Sequence, residues 1–429
     1  MRAFLTSATT AALVAVGLSI APDVNAAPQD LFGFGARSSA MGMTAAASAE
    51  GYEAIYGNPG LLAESRKKAL TLGIGIARHG LRAETAGREI SLPTDEMKTI
   101  YIGAALPIPF GGALTDRITF GVGFLNPAKF LVRGKILYPE RYQYPIVAPR
   151  VQSIAVAMGL GVRVHERVFV GAGFEALAGV IGEILISLDA TGRIGSRTDD
   201  QVIAAYAPIG SIAVDVSNRI RIGMTYRGEL IGRFALTIRA QDLGIPLPDF
   251  NVAGIAQYIP QQAALEARWS SFDGVGPIPA NKKGTRIAGG VLFRRWSKYP
   301  GPNEPTVLGN TEFGTGSPPI NASDTLSPRI GVEHGIPLSA VAGFRLRAGY
   351  ALEPTPLPPQ TGKENFFDST RHVVSGGLAI VGDDSLPFQL DIFAQLHLLQ
   401  NRVHEKKEGP NVTTGGTITV LGITAGVRF

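Results

Sequence analysis

The chain ends on the stretch 417-TITVLGITAGVRF-429, in which apolar and small or polar residues alternate up to a terminal phenylalanine. Side chains alternate between the two faces of a strand, so this stretch predicts a two-sided strand. One face carries Leu421, Ile423, Ala425, Val427 and Phe429. The other carries Gly422, Thr424, Gly426 and Arg428. Such a strand, ending on an aromatic residue, is typical of the strand that closes an outer-membrane barrel, and the alternative is an amphipathic edge strand of a soluble protein.

The first residues resemble an export signal. Arg2 precedes an apolar stretch at 11–21, and Val24-Asn25-Ala26 fits a cleavage site for signal peptidase. We therefore expect residues 1–26 to be a signal peptide and the mature chain to begin at Ala27. The 429 residues include no cysteine, which excludes disulfides and thiolate metal ligands.

The composition points to a glycine-rich chain that is slightly apolar on average. It has 53 glycines, 29 prolines and only 17% charged residues. Proline and glycine interrupt its uncharged runs, so none of them predicts a spanning helix. The formal charge of +5 is modest, and no basic cluster is interleaved with aromatic residues, which argues against nucleic acid as a partner.

About fourteen segments with a two-residue period follow residue 66. They run roughly from 68 to 79, 97 to 108, 117 to 127, 150 to 164, 167 to 189, 200 to 215, 219 to 240, 261 to 271, 285 to 298, 327 to 337, 342 to 353, 370 to 382, 386 to 399 and 416 to 429. Long connections rich in Pro, Gly and charge alternate with tight ones. This alternation and the even number predict an all-β protein, a transmembrane antiparallel barrel of about fourteen strands at 66–429.

The faces of these segments predict which residues meet lipid. In 344–350 the residues Arg345 and Arg347 alternate with Leu346, and an arginine facing lipid at the midplane costs about 2–4 kcal/mol. We therefore expect both arginines to face the lumen. The residues expected to face lipid are Leu346 and Leu390. Those expected to face the lumen also include Asp391, Gln395, Arg219, Arg221 and Arg227.

Residues 27–65 are too apolar for a solvated tail and lack strand alternation. They are expected to form a hatch, or plug, inside the barrel. Within this segment Asn58-Pro59-Gly60 predicts a rigid turn that holds the plug against the wall and acts as its gate.

The sequence shows no recognisable arrangement of metal-binding or catalytic residues. The six histidines are scattered without metal-ligand spacing, and no Gly-x-Ser-x-Gly elbow occurs. Pairs of glycines such as Gly159-x-Gly161 and Gly171-x-Gly173 lie inside strands, so we interpret them as relieving crowding in a curved sheet. No cofactor, metal site or catalytic residue is predicted, and a lipid-modifying barrel enzyme stays as a less favoured alternative.

Several short motifs resemble one family. They are Ser38–Gly42, Tyr56–Gly60, Thr225–Glu229, Tyr258–Pro260, Arg295–Tyr299, Leu346–Tyr350, Pro354–Pro358, Asn365–Asp368 and Arg371-His372. Their order and spacing are similar to those of the FadL/TodX-type outer-membrane transporters of long-chain fatty acids and aromatic hydrocarbons. Gly60 departs from the family's Asn-Pro-Ala box.

The resemblance implies a fourteen-stranded barrel, closed by an N-terminal hatch, that passes hydrophobic molecules passively toward a sideways opening in its wall. A general aqueous porin is the main alternative, with a wide polar lumen and no hatch. The family's ligand-contacting residues do not lie in the matched motifs.

Candidate ligand residues therefore come from position alone. Arg227, Arg345 and Arg347 are lumen candidates for holding a carboxylate, with structural ion pairs as the alternative use. The connection at 243–260 is unusually apolar and predicts a capture loop, or else a loop folded over the barrel mouth. Its residues are Leu243, Ile245, Leu247 and Phe250. We also expect outer-membrane lipid and, through Phe429, the barrel assembly machinery as partners of a monomer.

Overall fold

The computed structural model describes residues 28–92, 96–127, 132–133, 139–147, 152–188, 193–241, 249–274, 276–301, 306–308, 311–313 and 320–429. The expected signal peptide lies outside these residues. No helix in the described ranges is long and apolar enough to cross a bilayer.

Short helices fill the N-terminal part of the chain and strands make up the rest. The helices are α1 Pro28–Phe32, α2 Ala36–Ala40 and α3 Ala54–Gly57, with 3-10 turns at Gly51–Glu53, Pro59–Glu64, Gly112–Leu114 and Trp296–Lys298. The strands are β1 Ala69–Thr85, β2 Arg88–Ser91, β3 Met97–Pro107, β4 Ile118–Pro127, β5 Val132–Arg133, β6 Gln152–Ser153, β7 Ala155–His165, β8 Val168–Leu188, β9 Ile194–Asp215, β10 Ile220–Arg227, β11 Leu230–Gln241, β12 Phe250–Ile259, β13 Gln262–Ser270, β14 Gly284–Arg294, β15 Thr306–Leu308, β16 Thr311–Phe313, β17 Thr325–Pro337, β18 Ala342–Glu353, β19 Arg371–Gly382, β20 Phe388–His404 and β21 Val412–Arg428.

Fourteen of these strands form a closed antiparallel barrel, as the sequence predicts. In order around the wall they are β1, β3, β4, β7, β8, β9, β10, β13, β14, β17, β18, β19, β20 and β21. The closing strand β21 pairs with β1 from Ala69 opposite Arg428 to Thr85 opposite Val412. The terminal stretch therefore closes the sheet, because it supplies the backbone partners of the first strand.

The predicted segment at 219–240 is two elements and not one. Strand β10 belongs to the wall, whereas β11 leaves it and pairs in parallel with the upper part of β8. The apolar connection predicted to be a capture loop contains β12, which pairs with β11 as a hairpin. Gly228 and Glu229 interrupt the strand between β10 and β11, and Gly228 N–H donates to the Pro208 carbonyl at 2.9 Å.

Side chains on the wall alternate between lipid and lumen, as the two-residue period predicts. On β10, Ile222 is 43% exposed and Met224 is 48% exposed, whereas Arg221 and Thr225 are at most 1% exposed. On β18, Leu346 is 40% exposed and Arg345 and Arg347 are buried. Leu390 lies on the outer face and is partly exposed, while Asp391 and Gln395 are buried inside.

The expectation for Arg219 was wrong. This residue precedes β10 in a short turn, is exposed, and pairs with Asp273 at 2.7 Å. The alternation fails there because the strand starts one residue later, at Ile220.

Single-cysteine scanning from Phe344 to Tyr350 tests the wall assignment, and the chain has no native cysteine to interfere. We expect labelling by a membrane-impermeant thiol reagent to follow a two-residue period, with odd positions in the lumen. Labelling without this period would contradict the strand assignment.

Leu346→Arg should lower stability by about 2–4 kcal/mol if the residue lies near the midplane.

Candidate functional site

The N-terminal segment from 28 to 64 lies inside the barrel and is here called the hatch. Its helix α2 packs against β19 and β20, and its last turn, Pro59–Glu64, packs against β7, β8 and β9. At the other end the Phe32 ring lies edge-on to the His397 ring of β20, with 5.3 Å between centroids. The hatch therefore crosses the lumen from one wall to the other.

One sector of the wall, formed by β3, β4 and β7–β9, meets the hatch through small and apolar residues. Here Ile55 and Leu62 of the hatch share a buried apolar cluster with Tyr101, Leu125 and Phe169 of the wall. A Cβ on Gly171 would lie 2.1 Å from Gly60 N, and one on Gly161 would lie 2.4 Å from the Pro59 carbonyl oxygen. These glycines leave room for the hatch, which adds to their expected role in sheet curvature.

The turn Asn58-Pro59-Gly60 lies at this glycine surface. Asn58 is fully buried, and its Nδ2 donates to the carbonyls of Ala46 at 2.6 Å and Ile212 at 3.1 Å. Its Oδ1 accepts from Gly60 N–H at 3.1 Å, which caps the turn that begins at Pro59. One side chain thus joins two parts of the hatch to strand β9.

The opposite sector, formed by β10, β13, β14 and β17–β20, holds the hatch by directed hydrogen bonds. Glu266 of β13 accepts from three consecutive hatch amides, those of Ala45, Ala46 and Ala47, at 2.8, 3.1 and 3.1 Å. Further bonds come from Thr225 to the Gly57 carbonyl at 2.6 Å, and from Gln395 to the Phe32 carbonyl at 2.9 Å. Hydrogen bonds to a carboxylate are stronger than neutral ones, so Glu266 is the principal anchor of this loop.

Buried ion pairs continue this sector. Arg37 of the hatch bonds to Glu333 of β17 at 3.1 Å, and Glu50 of the hatch pairs with Arg286 of β14 at 2.6 Å. Near the last turn of the hatch, Glu64 pairs with Arg221 of β10 at 2.6 Å. Burial raises the pKa of Glu64, but the Arg221 guanidinium outweighs burial and holds that pKa below its usual value.

Another acid of the hatch, Glu53, forms hydrogen bonds within the hatch itself. Its oxygens accept the backbone amides of Arg37 and Ser38 at 2.8 Å each. Burial nevertheless raises the pKa of Glu53 to about 7. The hatch is therefore folded around its own acid as well as docked by acids of the wall.

The three candidate ligand arginines are all buried in the lumen: Arg345 and Arg347 lie two residues apart on β18, and Arg227 lies on β10. Arg347 bonds to Glu333 at 2.7 Å and to Asp391 at 2.5 Å. Arg345 donates to the carbonyls of Ile278 and Pro279 at 2.5 and 2.9 Å, in the long turn before β14. Both side chains have protein acceptors, which are carboxylates for Arg347 and backbone carbonyls for Arg345.

Arg227 lies at the hatch itself. It donates to the Tyr56 carbonyl at 3.0 Å and to Gln262 Oε1 at 2.8 Å, and its guanidinium lies 4.2 Å from the centroid of the Tyr56 ring. It also lines a cavity of about 40 Å³ between the hatch and strands β13 and β14, together with Asp30, Glu53 and Glu266. A cavity of this size with charged groups in its lining suits a few water molecules.

Aromatic residues from the long connections cover the barrel mouth. Tyr144 accepts from Gly415 N–H at 2.9 Å and contacts the cluster that includes Phe367 and Phe32. Tyr258, Trp296 and Tyr299 form a second cluster, with ring centroids 5.1–5.8 Å apart. Of the predicted capture residues, Phe250 is 39% exposed on strand β12, and Leu243, Ile245 and Leu247 lie outside the described residues.

Sequence reasoning missed the residues that dock the hatch. In the sequence, Glu266 shows only as an acid between the apolar residues Leu265 and Ala267 of a strand. Glu333 shows in the same way as an acid within a strand, after Val332. The one available signal was the two-residue alternation, which places acids and arginines of separate strands on the lumen face. Charged groups that are buried there need partners, since buried charges are paired.

A closed fourteen-stranded barrel with an apolar outer face defines a transmembrane barrel of the outer-membrane type. No family model and no curated protein sequence matches the chain.

Solved structures do match, and they confirm the FadL/TodX-type fold. A FadL homologue of Pseudomonas aeruginosa aligns with a TM-score of 0.63 at 13% identity, covering 96% of this chain and 99% of that one. The toluene transporter TodX of P. putida aligns with a TM-score of 0.60 at 14% identity, covering 93% and 99%. The toluene transporter TbuX of Ralstonia pickettii aligns with a TM-score of 0.53 at 16% identity, covering 93% and 99%.

Replacement of a wall glycine tests the docking surface. A Cβ on Gly223 would lie 1.9 Å from the Ala46 carbonyl oxygen, whereas one on Gly210 would meet nothing within 4 Å. We expect Gly223→Val to displace the loop at 45–47 and to make the hatch sensitive to protease from the lumen. Gly210→Val, the matched control, should leave digestion unchanged. Equal digestion of both variants would show that the hatch does not depend on this contact.

Proposed function

We propose that this chain is an outer-membrane channel for the passive uptake of hydrophobic small molecules, gated by the hatch. The observation that carries the proposal is a lumen crossed by a folded segment that is packed against both sectors of the wall. Solved proteins of this fold that are described as toluene transporters support the same class of cargo.

The two alternatives fit the site less well. A general aqueous porin needs a wide polar lumen, and here buried hatch residues such as Ile55 and Leu62 occupy that space. For a lipid-modifying enzyme, a nucleophile beside a base is required. Two of the solved proteins that share this fold are described as toluene transporters, which favours transport over such chemistry.

The arginines bear on the choice between neutral and acidic cargo. A ligand carboxylate at Arg347 would have to compete with Glu333 and Asp391, which already lie at hydrogen-bond distance. A neutral hydrocarbon breaks no such pair. We therefore propose neutral aromatic or aliphatic molecules as the preferred cargo, and Arg227, beside the hatch cavity, as the first residue to examine if a carboxylate is accepted.

The gate is proposed at Asn58-Pro59-Gly60. Proline fixes φ at this position and lacks an N–H, so the turn is rigid and its direction is preset. Asn58 ties the turn to the Ile212 carbonyl of β9, and Pro59 lies against Gly161 and Gly171. A change in the backbone conformation of Asn58-Pro59-Gly60 would move the 3-10 turn Pro59–Glu64 relative to β7–β9.

Deletion of residues 27–62 tests the hatch as a seal. The barrel strands keep their own backbone pairing, so the variant should assemble, but the lumen should admit water and small polar solutes. Single-channel conductance in planar bilayers measures this. A conductance equal to that of the full chain would show that the segment does not close the lumen.

Pro59→Ala tests the gate separately from the seal. We expect unchanged ion conductance and slower uptake of toluene by cells or vesicles, because the turn loses its preset φ. Oleate uptake measured beside it distinguishes acidic from neutral cargo. Unchanged toluene uptake would place the gate elsewhere, and no toluene uptake by the unaltered protein would contradict the proposed function itself.

Phe429 is proposed as a recognition element for the barrel assembly machinery. Its side chain is 68% exposed, and its backbone N–H donates to the Lys68 carbonyl at 2.9 Å. Because the ring covers little protein surface, Phe429→Ala should cost little stability yet reduce the amount of folded barrel in the membrane. Heat-modifiable gel mobility of membrane fractions measures that amount. Normal levels would contradict this role, and the monomeric state stays a prediction.

A further inference from the structure

The end of the barrel that carries the tight turns bears an excess of basic residues. This short-turn end comprises residues 65–68, 108–117, 163–167, 216–219, 271–283, 338–341, 383–387 and 428–429. Its basic residues are Arg66, Lys67, Lys68, Arg117, Arg163, Arg167, Arg219, Lys282, Lys283 and Arg428. Its acidic residues are Asp116, Glu166, Asp273, Asp383 and Asp384. We propose that this end binds the headgroups of anionic phospholipids in the periplasmic leaflet.

Two of the acids are already matched by basic neighbours. Asp273 pairs with Arg219 at 2.7 Å, and Asp384 pairs with Lys67 at 2.8 Å. The hydrogen bonds from Arg219 and Lys67 lower the pKa of Asp273 and of Asp384, so both acids are ionised near neutral pH. The pairing leaves eight basic and three acidic residues at this end, and therefore a clear positive excess.

The basic residues of this end lie next to the exposed apolar band of the wall. At two places a basic residue stands just before a wall strand that begins with exposed apolar residues: Lys68 precedes Leu70 of β1 by two residues, and Arg219 directly precedes Ile220 of β10. Leu70 and Ile220 are each 40% exposed. On β7, Arg163 lies next to Val164, which is 52% exposed. A molecule that meets both must have an anionic head and an apolar tail, and long basic side chains can reach such a head from the edge of the apolar band.

The run Arg66-Lys67-Lys68 is the most accessible part of this surface. All three residues are exposed, and they link the hatch to β1. Exposed apolar residues lie nearby: Phe429 directly follows β21, the strand paired with β1, and Phe388 begins β20, the next strand of the wall. Arg66 and Lys68, with Lys67 paired to Asp384 between them, lie beside an apolar surface, which suits a phospholipid better than a soluble acidic protein.

At the opposite end, two exposed arginines of the described residues pair with acids. Arg239 pairs with Glu183 and Asp249 at 2.9 Å each, and Arg197 pairs with Asp199 at 3.1 Å. The charge excess therefore belongs to one end of the barrel, and it explains the sign of the formal charge of +5.

Native mass spectrometry of the purified full chain tests the proposal. The detergent-solubilised protein is offered equal amounts of phosphatidylglycerol and phosphatidylethanolamine with the same acyl chains. We expect phosphatidylglycerol to be retained at least about fivefold over phosphatidylethanolamine at low salt, since each basic residue near a membrane surface attracts anionic lipid. The preference should weaken as ionic strength rises.

The triple variant Arg66→Gln, Lys67→Gln and Lys68→Gln should lose most of this preference. A matched control, Arg197→Gln, Arg239→Gln and Lys407→Gln, removes the same charge at the opposite end and should keep it. If the triple variant does not assemble, a second variant that keeps the charges, Arg66→Lys with Lys67→Arg and Lys68→Arg, should both assemble and keep the lipid preference. Equal retention of the two lipids by the unaltered protein, or an unchanged preference in the triple variant, would overturn the proposal.

Discussion

Pairing of backbone groups in a membrane is the constraint on which this structure depends. Water is absent from the hydrocarbon region, so every N–H and C=O of a spanning strand needs a partner within the sheet. An open sheet leaves two edges unpaired, and closure of β1 onto β21 removes both along the full 17 residues of each strand. The two-residue period, the alternate faces and the enclosed lumen all follow from this closure.

Closure creates a lumen, and the hatch fills it in two different ways. Toward β3, β4 and β7–β9 the contact is van der Waals packing, for which Gly161 and Gly171 provide the space. Toward β10, β13, β14 and β17–β20 directed bonds are added to close packing, chiefly those of Glu266 and of the pair Arg37 and Glu333, while Gly223 leaves room for the Ala46 carbonyl. Packing on an apolar surface tolerates small shifts, whereas hydrogen bonds to a carboxylate do not.

The sequence predicted the parts that follow from period and polarity. Fourteen wall strands, the inward direction of Arg345 and Arg347, and the enclosed position of the hatch could all be read from alternation or its absence. The partners of the charges could not, because Glu266 and the loop at 45–47 are about 220 residues apart along the chain. Strand β11 was missed for a related reason: its apolar alternation continues that of β10, and only tertiary pairing shows that it leaves the wall.

The charges of the wall give the hatch a role beyond obstruction. Without the hatch, Glu266 would lose three amide donors, and Arg286 would lose its close partner Glu50. Charges that are left without partners in an enclosed space draw in water, because desolvation without compensation is costly. The docked hatch satisfies these groups and places apolar side chains such as Ile55 beside them. It thereby limits the water that the lumen can hold at this level to the small cavity beside Arg227, and the apolar surface around it suits the proposed transfer of a hydrophobic molecule.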